Sequence, residues 1–204
     1  MRRILAPCVL WLLASGAAPP GPERWEGDIR AFETRDRLAP PPRGGIVFVG
    51  SSSIRLWPLA RSFPHLGAIN RGFGGSFVSD SVAFAPRIVL PYKPAAVVLY
   101  AGDNDLAAGK TPEQVRDDYA AFARLIRDAL SEARIVYISI KPSIARWSLI
   151  EKIRAANALI REAAAKDERL FFVDVEPAML GADGRPRRDL LAEDGLHLNA
   201  AGYA

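Results

Sequence analysis

Cysteine is nearly absent from this 204-residue chain: the single thiol, Cys8, lies among the first residues, and there are only two histidines and two methionines. One thiol excludes a disulfide framework and a zinc-type cysteine cluster, and its position excludes a cysteine nucleophile in the processed chain. Two histidines leave the acidic residues without a matching imidazole cluster, so no metal or other cofactor is expected. An excess of one charge is missing as well. Lysine and arginine number 27 against 23 acidic residues, and Arg2 and Arg3 account for half of that difference, so no electrostatic case for nucleic acid exists. No apolar run reaches the roughly 20 residues that a bilayer crossing needs, and the longest one is interrupted by Pro7. Internal repeats and low-complexity tracts are absent.

The first eighteen residues have the pattern of a secretory signal. Arg2 and Arg3 give the positive start, Ile4 to Ala14 the apolar stretch, and Gly16, Ala17 and Ala18 the small residues for cleavage. A secreted or periplasmic protein is therefore expected, with no stable membrane insertion once residues 1–18 are removed. Residues 19–44 read as an N-terminal helix, with Trp25, Ile29 and Phe32 at helical spacing, followed by the Pro-rich breaker "APPPRGG". From Gly45 to residue 204 a different rhythm runs. Short apolar runs at Ile46 to Val49, Gly67 to Asn70, Ala95 to Tyr100, Arg134 to Ile140 and Leu170 to Val175 alternate with amphipathic helices. Nearly continuous apolar strands of this kind are covered on both faces, which predicts an α/β fold with a parallel sheet between helical layers. "TPEQ" predicts a capping box at Thr111, opening a helix whose apolar face carries Val115, Tyr119, Phe122, Ile126 and Leu130. A second helix is expected over 148–166, with Asn157 as a hydrogen-bonded structural amide. At the C-terminus, "LHLNAAGYA" reads as a cap at Asn199 and the first turn of a helix, which predicts a truncated C-terminal helix.

In open parallel sheets ligands bind beyond the carboxyl ends of the strands. The loops to inspect are Gly50 to Ser53, "NRGFGGS" from Asn70 to Ser76, "AGDND" from Ala101 to Asp105, and "EDGLHLN" from Glu193 to Asn199. A serine hydroxyl needs a positioned base, itself oriented by an acid. His65, in "SFPHLG", has no acidic neighbour and reads as a surface residue. His197 follows Asp194 by three residues, a spacing that places carboxylate and imidazole on one side of a turn, so His197 is the expected base. Asp105 is expected to hold its loop through backbone hydrogen bonds, and Asp103 to face solvent. "GFGGSF" lacks the third glycine of a dinucleotide fingerprint, and the α/β-hydrolase elbow is excluded by Ile54. Arg146 and Trp147, after the fourth apolar run, are candidates for lining a substrate pocket. Arg55 and Trp57 are expected to brace the helix that follows the serines.

These blocks resemble, in order, those of the SGNH hydrolases, also called GDSL-like lipases and esterases, over about Gly45 to the end. "FVGSSSI" resembles the first block, which would make Ser52 the nucleophile, although Ser51 stands where that family usually has aspartate. "NRGFGGS" resembles the second block and points to Gly75 as a backbone donor to the oxyanion. "GDND" resembles G-x-N-D, giving Asn104 as the side-chain donor, and "DGLH" resembles D-x-x-H, giving Asp194 and His197. The resemblance implies a three-layer α/β/α sandwich with a flavodoxin-like parallel sheet of about five strands. It also implies an exported serine esterase acting through Ser52, His197 and Asp194, with the N–H groups of Ser52 and Gly75 and the Asn104 amide as oxyanion hole. An acyltransferase working on carbohydrate with the same triad is the alternative, and a non-catalytic binding module of the same fold is a second one. The expected partner is a small-molecule, carbohydrate or lipid ester. Ser51 and Ser53 are expected to satisfy backbone groups at the strand-to-helix turn.

Overall fold

The computed structural model describes residues 21–204, so the expected signal over 1–18 and the Cys8 thiol lie outside the described residues. A single 3₁₀ turn, Pro22–Trp25, leads into helix α1, Glu26–Leu38. The remaining elements follow in chain order: β1 Ile46–Gly50, α2 Ser52–Arg55, α3 Leu59–Ser62, β2 Ile69–Gly72, α4 Val78–Ile88, β3 Ala96–Tyr100 and α5 Asp103–Ala107. After these come α6 Pro112–Ala129, β4 Arg134–Ile138, α7 Ile150–Ala164, β5 Leu170–Val173 and α8 Glu176–Met179. The strands form one parallel sheet in the order β2-β1-β3-β4-β5, with Val47 in register with Ile69 on one side and Val97 on the other. The chain winds one way from β1 to β2 and the other way from β1's far side to β3, β4 and β5. The reversal falls at β1 and β3, where a cleft opens beyond their carboxyl ends.

Alternation along each strand divides the core between two faces. Val47, Val49, Val97, Leu99, Ile135 and Tyr137 point to one face, beneath α1, α4, α6 and α7. Phe48, Val98 and Tyr100 point to the other, where Ile54 of α2 and Leu59 of α3 cover them and Trp57 packs on Phe48. Ile29 and Phe32 of α1 belong to the larger cluster, and Arg87 on α4 pairs with both Glu26 and Glu33, so the N-terminal helix is built into the domain. The predicted capping box forms: Thr111 Oγ1 accepts from Gln114 N–H while Gln114 Oε1 accepts from Thr111 N–H. Asn157 is the expected structural amide, bonded to both the N–H and the C=O of Ile140 where β4 ends.

Two elements depart from the sequence reading. β2 occupies Ile69–Gly72, not 67–70, because Asn70 and Arg71 find partners that let polar residues enter an edge strand. Asn70 Nδ2 donates to Ile54 O, and the buried Arg71 guanidinium is held by Asp36 and the Tyr92 hydroxyl. The helix expected over 148–166 begins as a 3₁₀ turn, Trp147–Leu149, before α7.

Candidate active site

Gly50 ends β1 with φ of +134°, and a Cβ there would stand 1.9 Å from Tyr100 O, so only glycine lets the chain turn out of the sheet this close to β3. Ser51 N–H donates to that same Tyr100 carbonyl at 2.9 Å. The Ser51 carbonyl then accepts from Ile54 and Arg55 N–H, and Ser52 becomes the first residue of α2. The hydroxyls of Ser51 and Ser53 do not support the turn as the sequence suggested. Both are buried and have no hydrogen-bond partner among the described residues, while the Ser51 carbonyl, not a side chain, takes the Ile54 and Arg55 N–H groups. Ser52 alone of the three is partly exposed.

The Ser52 hydroxyl lies 3.0 Å from His197 Nε2, across 145 residues of sequence. His197 Nδ1 lies 2.5 Å from Asp194 Oδ2. A carboxylate only accepts, which assigns the imidazole proton to Nδ1 and leaves the Nε2 lone pair facing Ser52. The local sequence builds this geometry. Asp194 Oδ1 accepts the N–H groups of Leu196 and His197, Gly195 turns at φ of +65°, and Ala192 N–H closes the loop onto His197 O at 2.8 Å. The bond to His197, followed by those two backbone donors, holds the Asp194 carboxyl far below the usual carboxylate range, so it stays ionised. Asn199 caps the next turn, accepting from Ala201 and Gly202 N–H, and Tyr203 on that turn donates its hydroxyl to Ser53 O at 2.9 Å. The segment carrying the base is thereby tied to the helix carrying the serine.

Gly75 and Asn104 come from the loops after β2 and β3. Gly75 has φ of +79°, and a Cβ would sit 3.3 Å from the ring of Trp25, so the residue is required both for its backbone and for the space it leaves. Its N–H donates to no acceptor among the described residues. Trp25 is fixed in turn by Asp80, which accepts from Trp25 Nε1 and Phe77 N–H. Asn104 Nδ2 donates to Ser76 O at 3.1 Å, and its Oδ1 accepts from Arg146 Nη2 at 2.8 Å. Asp103 does not face solvent as expected. It is 4% exposed, 3.1 Å from Arg146 Nη1 and 3.5 Å from the buried Lys141 Nζ, a burial that these two cations make possible. Of the two candidate pocket residues, Arg146 therefore engages Asn104 and Asp103, while Trp147 packs against the core with Arg185 over its ring. His65 is exposed, and Trp57 packs on Phe48 of β1 and donates Nε1 to Ser62 Oγ of α3.

The profile of the GDSL-like lipase/acylhydrolase family matches residues 55–204, more than half of the chain. The chain belongs to that family. As an acylhydrolase it acts on ester bonds. Its similarity extends to platelet-activating factor acetylhydrolase IB subunit alpha1 of Homo sapiens, 31% identical over 165 residues, covering 78% of this chain and 70% of that protein. Solved structures that share the fold include the following two. A GDSL-like lipase from Bacteroides thetaiotaomicron superposes with a TM-score of 0.74 at 24% identity, covering 86% of this chain and 91% of that one. An acetyl-xylooligosaccharide esterase from Geobacillus, Axe2, does so with a TM-score of 0.63 at 17% identity, covering 80% and 90%. The matched stretch starts at Arg55, just past Ser52, so the role of that serine rests on its contact with His197.

Sequence reasoning missed three supports of this candidate site: Trp25 against Gly75, Tyr203 on Ser53, and the Asp103–Arg146 pair behind Asn104. Each joins segments distant in the chain, and only the placement of Arg146 after β4 gave any prior signal. Asp105, by contrast, holds its loop as expected, accepting Val78 N–H and pairing with Lys110 Nζ at 2.8 Å. Burial, acting against the Lys110 and Val78 bonds, pushes its carboxyl up from 3.8 to about 6. A folded-state value above the unfolded one means that the site costs nothing below about pH 4, where both states hold the proton. Between about pH 4 and 6 the unfolded state has released the proton that the folded state keeps, so stability falls across that window by about 3 kcal/mol and levels off above it, where the folded state too carries the charge. Urea unfolding of Asp105→Asn is therefore expected to show the variant gaining about 3 kcal/mol on the parent between pH 4 and 7. A pH-independent difference would contradict the assignment.

Proposed function

We propose that this acylhydrolase is an exported serine esterase that removes short acyl groups, acetyl foremost, through Ser52, His197 and Asp194. The observation that carries the reading is the 3.0 Å contact between Ser52 Oγ and His197 Nε2, with the far side of the imidazole held by Asp194. In the forward step Ser52 Oγ attacks the ester carbonyl carbon and its proton passes to Nε2. The Asp194 carboxylate stabilises the imidazolium and keeps its tautomer. The carbonyl oxygen becomes an oxyanion facing the N–H groups of Ser52 and Gly75 and the Asn104 amide. Collapse expels the alkoxide, which takes the Nε2 proton and leaves as the alcohol, and an acyl-serine remains. Water then attacks, giving its proton to Nε2, and the acid departs as Ser52 regains its hydrogen. His197 is 28% exposed and Asp194 49% exposed, so water reaches the imidazole directly, which favours hydrolysis over transfer to another alcohol. The short-acyl preference is supported by the relatives, an acetylhydrolase and an acetyl-xylooligosaccharide esterase by name. Export rests on the pattern of residues 1–18.

The test is a series of p-nitrophenyl esters of increasing chain length, run on the parent and on Asn104→Ala. The parent is expected to favour acetate over octanoate in kcat/KM. One preorganised donor contributes about 2.7 to 4 kcal/mol, so Asn104→Ala is expected to lose roughly two to three decades in kcat while folding normally. Undiminished turnover in that variant would remove Asn104 from the oxyanion site, and a preference for octanoate would overturn the short-acyl reading.

A further inference from the structure

The side chain of Asn104 has two ways to face: rotating the amide by half a turn exchanges a donor for an acceptor. With Nδ2 outward it stabilises a developing oxyanion, and with Oδ1 outward it repels one. Ser76 O alone is a weak lock, since it engages a single Nδ2 hydrogen at 3.1 Å. The stronger constraint comes from Arg146, a cation whose Nη2 donates to Oδ1 at 2.8 Å and admits only an acceptor at that position. Arg146 is itself held. Its Nη1 lies 3.1 Å from Asp103 Oδ2, Asp103 is buried, and the other oxygen of Asp103 takes Asn104 N–H at 3.0 Å. The same short segment also touches the loop of the base, for Ala145 N–H donates to Gly195 O at 3.0 Å and Ile144 packs on Gly195.

We propose that Arg146, braced by Asp103, is a positioning residue that sets the orientation of the Asn104 amide and so keeps the oxyanion hole in its donating state. It touches no reacting atom. The guanidinium occupies the one face from which the amide could be inverted, and its charge draws density from Oδ1, which strengthens Nδ2–H as a donor. Lysine in its place would keep a charge for Asp103 but lose the planar group that sets Nη2 on Asn104 Oδ1 while Nη1 stands in an ion pair with Asp103. This inference rests on the oxyanion role given to Asn104 above.

The experiment is a double-mutant cycle between position 146 and position 104, read with p-nitrophenyl acetate. Arg146→Lys is expected to lower kcat roughly tenfold to a hundredfold with KM within about twofold of the parent, as expected of a small misplacement of a catalytic group. In an Asn104→Ala background the same change is expected to cost nothing further, because no amide remains to be oriented. Thermal unfolding of each variant checks the fold, and Arg146→Met, which keeps the length of the stem, serves if the lysine variant is unstable. Overturning results are losses at the two positions that multiply, or a rise in KM at unchanged kcat, which would make Arg146 a substrate contact. If Asn104→Ala itself is fully active, the oxyanion assignment fails first, and that result is distinct from a multiplicative cycle.

Discussion

Ser52→Ala is expected to abolish ester turnover, lowering kcat by about six orders of magnitude, the loss seen when one member of a serine triad that acts as a unit is removed. The neighbours do not substitute for it. Ser51 and Ser53 have their hydroxyls buried, with no hydrogen bond among the described residues, while the imidazole faces Ser52. Their replacement by alanine deletes a buried polar atom that makes no bond, so Ser51→Ala and Ser53→Ala are expected to stay within a few-fold of parental activity. His197→Ala should equal Ser52→Ala in effect, and the double variant should be no worse than either, because the base has nothing to activate once the hydroxyl is gone. Labelling by a fluorophosphonate probe gives the second readout: the parent and the Ser51 variant are modified, and the Ser52 variant is not. Substantial turnover by Ser52→Ala would end the serine mechanism.

Asp194→Asn is expected to cost about four orders of magnitude in kcat with the fold intact. The substitution changes almost no volume at a residue that is about half exposed, and the amide oxygen still accepts the Leu196 and His197 N–H groups, which leaves the amide nitrogen facing His197 Nδ1. What changes is the tautomer. The ionised Asp194 only accepts, and it forces the imidazole proton onto Nδ1. An amide nitrogen facing Nδ1 donates instead, moves the proton to Nε2, and turns the base toward Ser52 with its hydrogen rather than its lone pair. Because the parental carboxyl is held far below its ordinary range by His197 and two backbone N–H groups, acidification within the working range should not reproduce the defect. Single-turnover acylation kinetics measure the loss directly, and a drop of less than tenfold would mean that Asp194 does not set the tautomer.

The fold and most of the site were legible in the chain because both follow from local pattern. Apolar runs such as Ala96 to Tyr100 are too continuous for a half-solvated strand, and helices between them leave a parallel sheet as the arrangement that covers both faces. Polar residues placed just past such strands then meet at one edge, and the spacing from Asp194 marked His197 as the base, whereas Ser52 and Asn104 were named from the resemblance to the SGNH hydrolase blocks. Asp103 could not. Its acidic character and loop setting argue for solvent, and only the approach of Lys141 and Arg146, both from the segment after β4, makes its burial tolerable.

What the sequence determined by itself is the set of short-range devices: the Asp194 turn that presents His197 and the Thr111 capping box. Each depends on residues within a few positions of one another, where spacing translates directly into geometry. Tertiary structure alone decided which of three serines meets the imidazole, that Trp25 walls the Gly75 loop, and that Arg146 donates to the Asn104 amide oxygen. Those contacts join distant segments at ångström range, and their orientation comes from how whole elements pack, which no local pattern of residues carries.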